Sequence, residues 1–135
     1  GLHPADRDWY DRAGGASQFG LSIPQPPEPK IQFEEGMPLQ LDAGGPIVAT
    51  VLHAPGHSPG HVMFYCKPLG VLFCGDVIFR MGVGRTDLAG GDMQTLLRTI
   101  REQVFTLPDE TRLLPGHGPE STVGFEKVHN PFISI

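Results

Sequence analysis

The sequence predicts a mixed α and β fold, and three observations support this prediction. Short apolar segments bounded by glycine and proline follow one another from Met37 onward, as strands do. A segment after Asp92 has apolar residues at helical spacing. The 135 residues, 39% hydrophobic and 19% charged, match a globular domain that buries a core. Because strands come first and helices follow and interleave, we expect a layered arrangement of sheet and helix.

The beginning of the chain is predicted to be loop-rich, over residues 1–36. Residues 1–12 are expected to form one short helix, since Pro4 suits a first helical position. Residues 14–30 hold four prolines and are predicted to form a long irregular loop. The sheet is therefore expected to lie in residues 37–135.

Four strands are predicted in the middle of the chain. The segments MPLQLD and IVATVLH are joined by a turn at Asp42–Gly45, and HVMFYC and VLFCGD form a hairpin. In that hairpin Cys66 faces Val71 and Cys74 faces Met63, so the two thiols point to opposite faces and are predicted to be free. Free thiols favour a reducing compartment, and we expect a cytoplasmic location.

One long helix and two smaller elements are predicted in the last third of the chain. Asp92 suits the N-cap of the segment MQTLLRTIREQVF. Its apolar stripe is formed by Leu96, Leu97, Ile100 and Val104. A short strand follows at TRLLP, and a last helix is expected in ESTVGFEKVHN.

Charge and hydropathy argue against two classes of partner. The net charge is −5, and no cluster of lysine and arginine forms a basic patch, so no nucleic acid partner is expected. No apolar run reaches the length of a membrane span, and no signal-peptide pattern opens the chain.

The stretch VLHAPGHSPGHVMFY spaces His53, His57 and His61 four residues apart, as on one face of a helix. A helix is excluded because Pro55 and Pro59 lie inside the stretch, and an interior proline costs about 3 kcal/mol. We therefore predict a tight loop between two strands, in which at most two of the three imidazoles point the same way.

Two further turns place metal-binding side chains after predicted strands. Asp76 follows LFCG, and His117 follows RLLPG. Loops at the ends of three strands can converge at one edge of a sheet, and histidine and aspartate are good ligands for zinc or iron. The sequence therefore predicts a metal site formed by His57, Asp76 and His117.

Four motifs in this order, APGHSPGH, FCGDVIF, GVGRTD and PGHGP, resemble the second half of a metallo-β-lactamase-fold hydrolase of the glyoxalase II-like (hydroxyacylglutathione hydrolase-like) branch. The resemblance implies the C-terminal half of an αββα metallo-β-lactamase-type sandwich. It implies that His57 and His117 each bind one of two metal ions and that Asp76 bridges them. It also implies that Arg85 contacts an anionic substrate, and it leaves His53 and His61 to orient ligands or to pack.

The function implied by the resemblance is metal-dependent hydrolysis of a small-molecule thioester or ester. Two zinc ions are expected, with iron or manganese as alternatives, and a hydroxide held by the metals would be the nucleophile. The H-x-H-x-D-H motif, which supplies the other ligands and the acid/base of this family, is absent from the 135 residues. We expect it upstream of Gly1, so that this chain is a C-terminal fragment and inactive by itself.

Two alternative functions stay open besides hydrolysis. On the same fold, a mononuclear iron persulfide dioxygenase would use His57 and Asp76 as ligands and would not need His117. A non-catalytic binding module would instead use its exposed half-sheet to bind another chain. An unpaired sheet edge also favours association between copies of this chain, so a homo-oligomer is expected as one outcome.

Overall fold

A six-stranded mixed sheet organises residues 1–133, the part of the chain that the computed structural model describes. Ser134 and Ile135, the last positions of the predicted segment 37–135, lie outside the described residues. The strands are β1 Pro38–Gln40, β2 Ile47–His53, β3 Val62–Cys66, β4 Val71–Gly75, β5 Ile78–Phe79, β6 Gly82–Val83, β7 Arg112–Pro115 and β8 Ser121–Thr122. The helices are α1 Arg7–Asp11, α2 Met93–Thr99 and α3 Val123–His129, with 3₁₀ helices at Pro4–Asp6, Ala13–Phe19 and Lys67–Leu69 and a π-helical turn at Ile100–Val104.

The strand order in the main sheet is β1-β2-β3-β4-β7-β8, and β5 and β6 form a separate hairpin. Strand β3 is antiparallel to both β2 and β4, while β4 is parallel to β7. Strands β2, β4 and β7 therefore run in the same direction. The loops that follow these three strands consequently lie at one edge of the sheet.

The predicted mixed fold is confirmed, and so is the β3–β4 hairpin with Cys66 opposite Val71. Both cysteines are buried and free, as predicted. Burial raises the pKa of Cys74 to about 12, so its thiol stays protonated at neutral pH and is a poor nucleophile.

Helix α2 begins as the sequence predicts. The Asp92 carboxylate accepts a hydrogen bond from the Thr95 N–H at 2.6 Å, which caps the helix. Leu96, Ile100 and Val104 are fully buried, while Leu97 lies at the margin of the core. This apolar stripe packs on the face of the sheet that carries Met63, Leu72 and Cys74. Within residues 1–133, no helix combines the length and the apolar character that a membrane span needs.

The short helix expected within residues 1–12 is present as α1. The prediction of an irregular loop over residues 14–30 was wrong in its first part, because a 3₁₀ helix occupies Ala13–Phe19. That helix ends at Gly20, whose φ of +70° lets its N–H bond back to Ala16 and Ser17. Strands β5, β6 and β8 were also missed, since two residues are too few to show an alternating pattern.

The buried carboxylate of Glu126 binds the tip of the β5–β6 hairpin. Glu126, on α3, is fully buried. It accepts hydrogen bonds from the Met81 N–H at 3.1 Å, the Asn130 amide at 2.8 Å and the Ser121 hydroxyl. Met81 forms the tip of the hairpin with a φ of +61°. The Glu126 carboxylate therefore holds a strained turn against α3.

We expect Glu126→Ala to lower the free energy of unfolding by about 3 kcal/mol, because it leaves several buried donors without an acceptor. Urea unfolding followed by circular dichroism measures this change. Glu120→Ala is the matched control, since Glu120 is an exposed glutamate paired with Arg112. Equal stabilities of the two variants would show that the buried network contributes nothing specific.

Candidate metal centre

The three predicted metal ligands lie together at the edge of the sheet where β2, β4 and β7 end. Asp76 follows β4 directly, and His117 follows β7 after one glycine. His57 lies in the loop between β2 and β3, which is the tight loop that the sequence predicts. The three side chains converge because β2, β4 and β7 run in the same direction.

The Asp76 carboxylate lies between the two imidazoles. His57 Nε2 is 3.5 Å from Asp76 Oδ2, and His117 Nδ1 is 2.8 Å from Asp76 Oδ1. The side chains of His57 and Asp76 are 18% and 29% exposed, whereas that of His117 is 77% exposed. The site is therefore closed on the His57 side and open to solvent on the His117 side.

The His57 ring is oriented by a backbone carbonyl. Its Nδ1 lies 2.8 Å from the Arg85 carbonyl oxygen and donates a hydrogen bond to it. The lone pair of Nε2 is then directed at the Asp76 side of the ring. Histidines that bind metals usually donate their other ring N–H in this way, which fixes the tautomer and the ring orientation.

His61 orients Asp76 through the backbone, and His53 does not reach the site. His61 Nε2 accepts a hydrogen bond from the Asp76 N–H at 3.1 Å. Burial lowers the pKa of His61, with the nearby His57 as a second cause. Its Nδ1 is buried and has no hydrogen-bond partner among residues 1–133. The His53 ring stacks on His3 at 4.0 Å instead. Only His57 and His61 thus face the same region, as the loop prediction requires.

Glycines let the backbone close around Asp76. A Cβ at Gly84 would lie 1.7 Å from the Asp76 carbonyl oxygen, and one at Gly116 would lie 2.8 Å from Asp76 Oδ1. A Cβ at Gly75, where φ is +49°, would lie 2.7 Å from His61 Nε2. Gly75 of the CGD motif, Gly84 of GVGR and Gly116 of PGHG are thus required by the packing of backbone against Asp76 and His61.

Helix α2 holds the loop that carries His57. Gly56 has a φ of +136° and approaches Leu96 so closely that a Cβ would lie 2.4 Å from the Leu96 Cα. The Thr99 hydroxyl donates to the Pro55 carbonyl at 2.7 Å, and the Asp92 N–H donates to the Gly56 carbonyl at 2.8 Å. The loop is therefore fixed on one side by the first two turns of α2.

Sequence reasoning missed the contacts between the N-terminal segment and this site. The Asp6 carboxylate accepts from the Ser58 hydroxyl at 2.7 Å and from the Gly60 N–H at 2.6 Å. The Trp9 indole N–H donates to the Ala89 carbonyl at 2.8 Å. Asp6 and Ser58 are 52 positions apart, and no local pattern in the sequence indicates such a contact.

The side chain of Arg85 forms an ion pair with Asp87. Its guanidinium donates two hydrogen bonds to Asp87, at 2.8 and 2.9 Å, and its side chain is 60% exposed. These hydrogen bonds lower the pKa of Asp87 to about 2. The part of Arg85 that contacts His57 is its carbonyl oxygen. Contact of the guanidinium with a substrate stays a prediction.

Imidazole and carboxylate side chains are of the types that bind zinc and iron. Within the described part of the chain, no group of three or more His, Cys, Asp or Glu side chains surrounds one point where an ion could bind. The two imidazoles face different oxygens of one carboxylate. The three residues therefore fit part of a metal site, in which Asp76 is shared between His57 and His117.

The sequence profile of the metallo-beta-lactamase superfamily matches residues 2–117. The chain belongs to this superfamily. It is 39% identical over 136 residues to the probable metallo-hydrolase YqgX of Bacillus subtilis, covering 98% of this chain and 63% of YqgX. It is 41% identical over 120 residues to the hydroxyacylglutathione hydrolase GloC of Haemophilus influenzae, covering 88% of this chain and 55% of GloC. The chain thus spans less than two thirds of the length of these metallo-beta-lactamase relatives.

The chain is also similar to solved structures of the metallo-beta-lactamase fold. A di-iron-bound form of TTHA1623 is 45% identical with a TM-score of 0.84, covering 98% of this chain and 63% of that one. The B3 metallo-beta-lactamase BLEG-1 is 39% identical with a TM-score of 0.85, covering 98% of this chain and 64% of that one. At the level of the family, these relatives support a metal-dependent hydrolase.

Proposed function

We propose that the natural polypeptide containing this chain hydrolyses a thioester or ester of a small molecule. His57, Asp76 and His117 would hold two metal ions, zinc by expectation, with iron or manganese suited to the same donors. The observation that carries the proposal is the single carboxylate of Asp76 placed between two imidazoles. The name of GloC describes an acylated glutathione, which supports an acyl thioester as the substrate class.

Some residues of this chain would orient the metal ligands, and others would leave the site accessible to a substrate. The Arg85 carbonyl orients His57, and the His61 ring holds the Asp76 backbone, so both ligands are preorganised. A bound metal ion supplies Lewis acidity and lowers the pKa of water that it binds. The exposed His117 side leaves room for a substrate carbonyl to approach. The other ligands and the acid/base are expected from the H-x-H-x-D-H motif, which these 135 residues lack.

Arg85 is the proposed contact for an anionic group of the substrate. Its guanidinium lies on the surface in a two-bond pair with Asp87, and exposed pairs of this kind stabilise a protein little. A substrate carboxylate can therefore replace Asp87 at small cost. The same two-bond geometry suits a carboxylate ligand.

The test is thioester hydrolysis by the natural polypeptide that contains this sequence, loaded with zinc, iron or manganese in turn. We expect release of free thiol, and we expect His117→Ala to lower kcat/KM by at least about 100-fold, since a metal ion contributes several kcal/mol to the barrier. Asp109→Asn serves as control, because Asp109 lies on the surface and pairs with Lys127.

Two results would overturn the proposal. Oxygen uptake with a persulfide, retained iron and no need for His117 would indicate the mononuclear dioxygenase instead. Absence of metal together with absence of thiol release would indicate a binding module.

Association of copies through the sheet edges, at β1 and β8, stays a separate prediction that size-exclusion chromatography can check.

A further inference from the structure

We propose that Asp6 is a positioning residue for the candidate metal centre. In this proposal the N-terminal helical segment clamps the loop of residues 54–61 from outside and so sets the orientation of His57. The inference rests on the proposed function, because it assigns a role to Asp6 in metal binding at that same site.

Both oxygens of the Asp6 carboxylate bind the loop. Oδ2 accepts from the Ser58 hydroxyl at 2.7 Å, and Oδ1 accepts from the Gly60 N–H at 2.6 Å. Ser58 is only 5% exposed. These two donors lie one and three residues after His57, so Asp6 fixes the chain immediately beyond the ligand.

The clamp is a close-packed contact as well as a hydrogen-bonded one. A Cβ at Gly60 would lie 2.6 Å from the Asp6 backbone nitrogen, so only glycine allows this approach. His3, at the start of the same segment, stacks on His53. His53 Nε2 in turn lies 2.8 Å from the Pro59 carbonyl oxygen, which adds a second tie to the loop.

The same segment reaches the second loop that contacts His57. The Trp9 indole N–H bonds to the Ala89 carbonyl, four residues after Arg85. The Arg85 carbonyl accepts the hydrogen bond from His57 Nδ1. Residues 3–9 thus bind both the loop that carries His57 and the loop that orients its ring.

The loop depends on this outside support because its internal hydrogen bonds are few. Gly56 N–H and His61 N–H both use the Ser58 carbonyl, at 3.2 and 3.5 Å. Helix α2 holds the beginning of the loop through Pro55 and Gly56. Without Asp6, the Ser58 hydroxyl and the Gly60 N–H would lose their acceptor, and the second half of the loop would lose one of the two ties that involve the N-terminal segment.

The experiment compares Asp6→Ala with Asp11→Ala in the natural polypeptide that contains this sequence. Asp11 is the matched control, since it belongs to the same helical segment but pairs with Arg7. Zinc affinity is measured by competition with a chelator, and hydrogen exchange of the Gly60 amide is measured by NMR without metal. For Asp6→Ala we expect a zinc Kd about 10-fold to 100-fold higher, as for loss of other groups that orient metal ligands. We also expect Gly60 exchange to be about tenfold faster or more.

Asp6→Asn keeps one oxygen acceptor for Gly60 and is expected to give intermediate values for both quantities. It also tests the proposal if the alanine variant fails to fold. Unchanged Gly60 exchange in the Asp6 variants would overturn the clamp. Faster exchange with an unchanged zinc Kd would show that Asp6 is structural only and would overturn its positioning role. Absence of zinc binding by the unaltered polypeptide, with its H-x-H-x-D-H motif present, would instead count against the proposed metal site itself, because Gly60 exchange measures the clamp separately.

Discussion

Replacement of Asp76 by alanine is expected to abolish specific metal binding by the natural polypeptide that contains this chain. Asp76 is the only one of the three candidate ligands that contacts both others, with one carboxylate oxygen facing His57 and the other facing His117. Its removal leaves two imidazoles with no shared anionic group between them. We therefore expect a loss of zinc affinity greater than the roughly 100-fold that follows loss of a group that only orients a ligand.

Elemental analysis of the purified natural polypeptide, together with a zinc titration against a competing chelator, measures this loss. Asp109→Asn is the matched control, since it removes a surface carboxylate that pairs with Lys127. We expect the control to bind zinc as the unaltered polypeptide does. Equal affinities of the Asp76→Ala variant and the unaltered polypeptide would place the metal elsewhere and would refute the assignment of all three ligands.

Gly84→Ala is expected to have the second-largest effect, on both stability and metal affinity. The added Cβ would lie 1.7 Å from the Asp76 carbonyl oxygen and 3.6 Å from His57 Nδ1. The backbone at residue 76 must move away to accept it, and overpacking of this kind typically costs about 3 kcal/mol at the upper end of its range. Displacement of that backbone also breaks the orientation of the Asp76 carboxylate between its two histidines.

A neighbouring glycine provides the control for this substitution. A Cβ at Gly82 would meet nothing closer than the Phe79 Cβ at 3.8 Å, so Gly82→Ala adds the same atom without a clash. Chemical unfolding and zinc affinity are compared for both variants. We expect Gly82→Ala to differ from the unaltered chain by less than about 1 kcal/mol. If Gly84→Ala is as stable as Gly82→Ala, the backbone at Asp76 moves away from the added Cβ at little cost, and the prediction is wrong.

The outline of the fold and the three candidate ligands were predictable because they depend on local patterns. Short apolar segments bounded by glycine and proline marked β2, β3 and β4, and Asp92 with its following apolar stripe marked α2. The prolines beside His57 excluded a helix there. Once three histidine or aspartate side chains follow strands of the same direction, the geometry of a sheet brings them to one edge.

Only the tertiary structure decided which groups support those ligands. The acceptor of His57 Nδ1 is a carbonyl 28 residues away, and the anchor of the His57 loop is the Asp6 carboxylate, 52 residues from Ser58. Such contacts depend on loop paths and close backbone approaches, which leave no periodic signal in the sequence. The guanidinium of Arg85 lies in a local surface pair with Asp87, two residues further along the chain, and its contact with a substrate stays a prediction.

The sequence by itself thus determined the longer strands, the main helix and the residue types that gather at the sheet edge, because propensity and hydrophobic period act over a few residues. The tertiary structure alone decided that His61 holds the Asp76 backbone, that glycines 75, 84 and 116 admit the crowded backbone around it, and that the N-terminal segment clamps the loop. Those features follow from packing between segments distant along the chain, where the position of each atom depends on all of its neighbours.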